Sequence, residues 1–125
     1  MTRRAKLLIV DDSELSLEIL QTKLAGRYDI VATNSPANAV KLARETEPDL
    51  ILCDFDMPEM DGSEVSDALR ADEETRYIPL LFLTALATTG DLNRAQKQLA
   101  GRPAISKDSL IERIVDRIEE LLKVE

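Results

Sequence analysis

Four places in this sequence carry groups capable of chemistry, and each lies at or just beyond the end of a short apolar run. Asp11 and Asp12 follow Leu7–Val10, Asp54 follows Leu50–Cys53, Thr84 follows Leu80–Leu83, and Lys107 lies just past Ala104-Ile105. Singly, each has an ordinary explanation. Aspartate at a strand-to-helix junction usually caps the helix, threonine is a β-branched strand residue, Asp61-Gly62 is a turn, and a lysine at a helix entrance is usually solvated. Together they are a different proposition, because carboxylates brought to one place repel and raise one another's pKa. A hard divalent cation relieves that repulsion, and Mg²⁺ typically takes few carboxylates while keeping water positions open to a phosphate. Phosphoryl transfer needs an in-line nucleophile, with positive charge and donors on the equatorial oxygens. Asp54 suits the nucleophile, Mg²⁺ and Lys107 the charge, and Thr84 the hydroxyl donor. The chain contains no histidine, so a phosphohistidine donor would have to be another protein.

These residues can meet only if the chain folds to bring the run ends together. The runs Leu7–Val10, Ile30–Ala32, Leu50–Cys53, Leu80–Leu83 and Ala104-Ile105 are mostly continuous rather than alternating, as in strands buried on both faces. The second and fifth are shorter and are candidates for edge strands. Between them the apolar period becomes helical. Ser13 to about Ala25 sets Leu15, Ile19, Leu20 and Leu24 on one broad side, with Gly26 as a stop. Ser35-Pro36 reads as an N-cap and first helical position, opening a helix through Ala39, Val40 and Ala43. A third helix runs from Gly62 to about Ala71. A fourth follows the capping-box spacing Thr88-Thr89-Gly90-Asp91 and carries Leu92, Ala95 and Leu99, closed by Gly101. The fifth shows Leu110, Ile111, Ile114, Val115, Ile118, Leu121 and Leu122 at three- and four-residue steps. Alternating β-α units predict an α/β fold, a doubly wound five-stranded parallel sheet with five helices. Ligands in such sheets lie beyond the carboxyl ends of the strands, where the four chemical positions fall.

Composition agrees and narrows the class. A chain of 125 residues fits one domain, read here as 1–125, and 44% hydrophobic with 32% charged residues is a globular balance. A net charge of −8 works against nucleic acid and anionic membranes as direct partners. No signal peptide or membrane-length apolar stretch is visible. Cys53 is the only cysteine and reads as a buried structural thiol, which suits the reducing cytoplasm. The sequence stops at Glu125, soon after the last helix, and leaves open a free-standing domain or a piece of a longer regulator.

The stretch Pro48-Asp49-Leu50-Ile51-Leu52-Cys53-Asp54-Phe55-Asp56-Met57-Pro58-Glu59-Met60-Asp61-Gly62 resembles the acceptor segment of response-regulator receiver domains. The likeness extends in order to Asp11-Asp12, to Leu83-Thr84-Ala85 and to Lys107, and so spans essentially the whole chain. It implies the flavodoxin-like sheet order 2-1-3-4-5. It further implies a two-component phosphoacceptor at Asp54, charged by a histidine kinase or histidine phosphotransfer protein. Mg²⁺ would be held by Asp12 and Asp54, by Asp11 directly or through water, and by the Asp56 backbone carbonyl. Thr84 would close on the phosphoryl group and Lys107 would pair with it. The face made by the fourth helix, fifth strand and fifth helix would signal to a downstream protein that the sequence does not name. Such a domain is not an enzyme in the usual sense, although it promotes its own phosphorylation and dephosphorylation.

Some positions depart from the family pattern. Asp108 stands where proline usually follows the lysine, and is expected to cap the last helix. Ala104 replaces an aromatic that often moves with the threonine, so signalling would have to use loop or helix movement. Asp56 and Leu86 occupy positions that tune autodephosphorylation in the family. Asp56→Asn is expected to change the rate of phosphate loss. Two rival readings stand beside this one. A haloacid-dehalogenase-type phosphohydrolase would use Asp54-Phe55-Asp56 as its Asp-x-Asp pair, but Met57-Pro58 follows and no cap domain is present to enclose a substrate. A pseudo-receiver would keep the fold as an interaction module without physiological phosphorylation.

Overall fold

Each continuous apolar run forms a strand, and the strands lie side by side in one sheet. The computed structural model describes residues 4–85, 98–99 and 101–123. In chain order these are β1 (Lys6–Val10), α1 (Glu14–Leu24), β2 (Asp29–Thr33), a 3₁₀ turn (Pro36–Asn38), α2 (Ala39–Thr46), β3 (Leu50–Asp54), α3 (Gly62–Ala71), β4 (Leu80–Thr84), β5 (Gln98–Leu99), β6 (Arg102–Ser106) and α4 (Ile111–Leu122). The sheet order is β2-β1-β3-β4-β6-β5. All pairings are parallel except the short β5–β6 pair. With two-residue β5 set aside, the five parallel strands stand in the expected 2-1-3-4-5 order.

The period-two rule explains why the central runs are continuous. Leu7 and Ile9 of β1, with Leu50 and Leu52 of β3, join one core that includes Leu20 of α1 and Ile118 of α4. The alternate residues Leu8, Val10, Ile51 and Cys53 join a second core with Ala43 of α2 and Val65 of α3. Helices therefore cover both faces, and every position of β3 and β4 is buried.

Several helix details differ from expectation. On α1 the buried residues are Leu17, Leu20 and Leu24, while Leu15 is 68% and Ile19 45% exposed. The sequence there is apolar on more than one side, and packing selects the narrower stripe. Ser35 makes no side-chain capping bond; the 3₁₀ turn leads directly into α2. Asp108 does not cap α4, whose N-cap is Leu110 without a side-chain bond. The Asp108 N–H donates instead to Ser106 Oγ at 3.2 Å, two residues back, so that a turn precedes the helix. Four α-helices are present among the described residues. The predicted fourth helix falls largely outside them, as do Thr88, Asp91, Leu92 and Ala95. Leu99, assigned to that helix, belongs to β5, which turns into β6 through Gly101 in the left-handed region (φ 74°).

Just past the carboxyl end of β3 the chain is anchored by a close backbone approach at Gly62, the first residue of α3. The Gly62 N–H donates to the Phe55 carbonyl at 2.9 Å. The preceding Asp61 accepts from the Glu64 N–H, and Glu64 accepts from the Asp61 N–H in return. A Cβ on Gly62 would stand 2.7 Å from Phe82 Cε1 and 2.9 Å from Phe55 Cα. Phe55 and Phe82 meet edge to face, with centroids 5.0 Å apart. Gly62→Ala is therefore expected to destabilise the protein. Overpacking of about 1–3 kcal/mol exceeds the roughly 1 kcal/mol at most gained by restricting the unfolded chain. A urea titration should show a lower midpoint; an unchanged one would mean that the aromatic pair yields without cost.

Candidate functional site

At the carboxyl edge of the sheet, backbone hydrogen bonds continue past the ends of the strands. The Asp11 N–H donates to the Thr33 carbonyl at 3.2 Å, Phe55 N–H to the Leu83 carbonyl at 2.9 Å, and Lys107 N–H to the Thr84 carbonyl at 2.8 Å. The end of β1 is thus held to that of β2, and the ends of β3 and β6 to that of β4, past the strands themselves. Asp11 Oδ1 accepts from the Ser13 N–H at 2.9 Å, and Ser13 Oγ caps α1 by accepting from the Ser16 N–H. The capping role open to Asp11 or Asp12 is taken by Ser13, leaving both carboxylates for other use.

The predicted residues converge. Asp11, Asp12 and Asp54 each bring a carboxylate oxygen within 4.8 Å of the others; Asp11 and Asp54 are buried and Asp12 is exposed. Lys107 Nζ stands 3.4 Å from Asp11 Oδ2 and 3.4 Å from Asp54 Oδ2. Asp54 Oδ1 accepts from the Asp56 N–H at 3.3 Å. Thr84, fully buried at the end of β4, does not bond the three carboxylates. Its hydroxyl donates to Asp56 Oδ2 at 3.2 Å, and the Ala85 N–H donates to the same oxygen at 3.2 Å.

The electrostatics follow from this crowding. Burial, then the neighbouring Asp11 charge, raise the Asp54 pKa to about 6; Lys107 and the Asp56 N–H act in the opposite direction. Burial alone would lower the Lys107 pKa, but Asp11 and Asp54 outweigh it and raise it. Burial, with Asp54 and Asp11 adding to it, pushes the Cys53 thiol far up, so Cys53 is a packing residue and not a nucleophile. Among the described residues Asp11 Oδ2, which is buried, has no hydrogen-bond partner, its ion-pair contact with Lys107 aside. An under-satisfied buried carboxylate oxygen beside two more carboxylates is a donor set suited to a hard divalent cation.

Two contributions to this region were not legible in the sequence. The Ala85 N–H carries no residue-type signal at all. The Asp56 side chain reaches a hydroxyl 28 residues away, a pairing that only the β3–β4 register brings about. At the far end of β6, Arg102 is buried and donates to Ser66 Oγ at 2.9 Å and to the Ile78 carbonyl at 3.4 Å. It braces that strand against α3. An arginine heading an otherwise apolar run was the available clue.

The response regulator receiver domain family matches residues 7–119 of this chain. The polar-differentiation response regulator DivK of Brucella ovis is 39% identical over 116 residues, covering 92% of this chain and 94% of that protein. A putative response regulator from Chloroflexus aurantiacus superposes with a TM-score of 0.83 at 27% identity, covering 98% of this chain and all of that one (100%). The receiver domain of sensor histidine kinase PA1611 from Pseudomonas aeruginosa, solved with a magnesium ion in its active-site cleft, gives 0.82 at 23% identity, with 98% and 100% covered. At that identity the second structure speaks for the fold.

Because the folded pKa of Asp54 lies above its ordinary value of 3.8, ionising it opposes folding. That opposition is full above the folded value near 6 and fades as pH falls toward 3.8. Asp54→Asn is expected to stabilise the cation-free protein at about pH 7 by on the order of 1–2 kcal/mol, after allowance for solvent screening at the cleft mouth. The gain should shrink at about pH 5, and Mg²⁺ should stabilise the wild type more than the variant. Urea titrations in chelator and in Mg²⁺ measure this. A variant no more stable than wild type at the higher pH would mean that the carboxylates are not in conflict.

Proposed function

The chain belongs to the response regulator receiver domain family, and from that membership we propose that it is a phosphorylation-controlled switch with Asp54 as the acceptor. The observation that carries this reading is the shared ammonium: Lys107 Nζ lies 3.4 Å from both Asp11 and Asp54, at the edge where Asp12 and Thr84 also end. The donor is a phosphohistidine on a histidine kinase or histidine phosphotransfer protein. An Asp54 oxygen forms the new P–O bond as the donor's P–N bond breaks and the imidazole leaves. Lys107 offsets the charge on the phosphoryl oxygens, and the Thr84 hydroxyl donates to one of them. Asp11, Asp12, Asp54 and the Asp56 backbone carbonyl would hold Mg²⁺, which when bound supplies further positive charge to those oxygens. Water later returns Asp54 to its free form at the same site, so the chain acts as its own substrate and turns over no external one. Residues 1–125 serve as a single domain, and a free Cys53 thiol suits the cytoplasm that this chemistry implies. A net charge of −8 argues against direct contact with nucleic acid or an anionic membrane.

The donor's docking face follows from where apolar surface is left open. Leu15 and Ile19 of α1 and Leu110 before α4 are exposed, and a groove of about 200 Å³ lined by Ile19, Leu20, Ile111 and Ile114 reaches Lys107. A helical donor seated there would bring its phosphohistidine to the cleft. A coupling of about 1–3 kcal/mol between phosphorylation and the binding of a downstream protein would suffice for a switch.

Incubation with acetyl phosphate or phosphoramidate should give one phosphate-mass adduct by intact-mass spectrometry, dependent on Mg²⁺ and absent from Asp54→Asn. No adduct on a folded protein that still binds Mg²⁺ would point to an interaction module instead. Leu15→Asp with Ile19→Asp should slow transfer from a protein donor by tenfold or more, on the order of one interface hot spot, and leave the acetyl phosphate rate unchanged. Equal slowing with both donors would refute the docking face.

A further inference from the structure

Asp56 lies two residues beyond the acceptor, and its side chain turns away from Asp54 toward the end of β4. There Oδ2 accepts two hydrogen bonds at 3.2 Å, one from the Thr84 hydroxyl and one from the Ala85 N–H. The Asp56 N–H meanwhile donates to Asp54 Oδ1 at 3.3 Å. One residue therefore touches the acceptor with its backbone and the β4 end with its side chain. A hydroxyl and the next backbone N–H converging on a single anionic oxygen form a donor pair suited to a phosphoryl oxygen. Here they serve a carboxylate of the same chain.

We propose that Asp56 is a built-in competitor for the phosphoryl group, engaging Thr84 and Ala85 until phosphorylation displaces it. The inference rests on reading Asp54 as the acceptor and adds a regulating residue to that site. Its basis is proton accounting: the hydroxyl has one hydrogen to donate and the amide has one, so neither can fully serve two anionic oxygens at once. Displacement is favoured by the nature of the incoming group. A phosphoryl on Asp54 carries about two negative charges and repels a carboxylate two residues away. Asp56 is exposed, so it can swing into water without unburying a core or leaving a charge stranded. Thr84 is fully buried, so bulk water does not take the place of Asp56 at its hydroxyl in the exchange. The contact thus sets the resting position of the β4 end and lowers the site's affinity for a phosphoryl group.

Asp56→Ala and Asp56→Asn separate the hydrogen bonds from the charge, and both keep the residue's backbone carbonyl and N–H. Alanine removes acceptor and charge; asparagine keeps a carbonyl acceptor and removes only the charge. In the unphosphorylated proteins, the Ala85 amide proton should be shifted downfield and slowed in solvent exchange in wild type, less so in Asp56→Asn, and released in Asp56→Ala. Affinity for beryllofluoride with Mg²⁺ should rise by roughly five- to tenfold in Asp56→Ala, the value of a net hydrogen bond, and by less in Asp56→Asn. Identical Ala85 behaviour in all three proteins would overturn the contact. Equal affinity gains in both variants would reduce Asp56 to a repelling charge and overturn the competition. Failure of all three to bind beryllofluoride, with the Ala85 pattern intact, would instead overturn the acceptor reading on which competition rests. The two failures are therefore distinct.

Discussion

Two buried carboxylates side by side repel one another unless a proton or a cation offsets their charge, and in this fold Lys107 supplies the cation. Asp11 follows the end of β1 and Asp54 ends β3, neighbouring strands whose register sets the two buried residues side by side. The ammonium that bridges them arrives from the other side of β4, carried by β6 and fixed by the bond from its own N–H to the Thr84 carbonyl. One lysine offsets part of the charge of three carboxylates and leaves Asp54 harder to ionise than an ordinary aspartate. The remaining deficit of positive charge makes the edge receptive to a metal ion.

Most of the fold was legible because double-sided burial leaves an unambiguous trace. Runs such as Leu50–Cys53 and Leu80–Leu83 admit no polar face, and strands of that kind between helical stretches leave few topologies. Where two faces of a helix compete, the pattern was insufficient. Leu15 and Ile19 extend the apolar side of α1 as far as the sequence can tell, yet the core takes Leu17 instead. Short polar residues near helix starts were ambiguous for a related reason, since several can bond the same few amides. Ser13 fills the role at α1, whereas Ser35 and Asp108 do not at α2 and α4.

Asp11, Asp12, Asp54 and Lys107 could be read because they fall together at run ends and their chemistry is complementary, although each alone has an ordinary explanation. Contacts involving Asp56 and Ala85 could not. A carboxylate two residues past Asp54 looks the same in sequence whether it faces solvent, a metal or a hydroxyl; only the β3–β4 register decides. Backbone donors leave no trace in residue identity. The support around Gly62 lies between these cases: glycine after aspartate reads as a turn, but the aromatic ring that requires the missing Cβ comes from another strand.

The outer side of β6 has a bearing on solubility. An open strand edge is a template on which a second chain can add its own strand, and open edges are a common start of aggregation. Here β5 already pairs with Arg102 and Pro103, and Pro103 has no N–H to offer a newcomer. Along Arg102 and Pro103 that margin therefore presents no unbroken row of donors to a second molecule. Strand addition by a second chain is thereby opposed along Arg102 and Pro103.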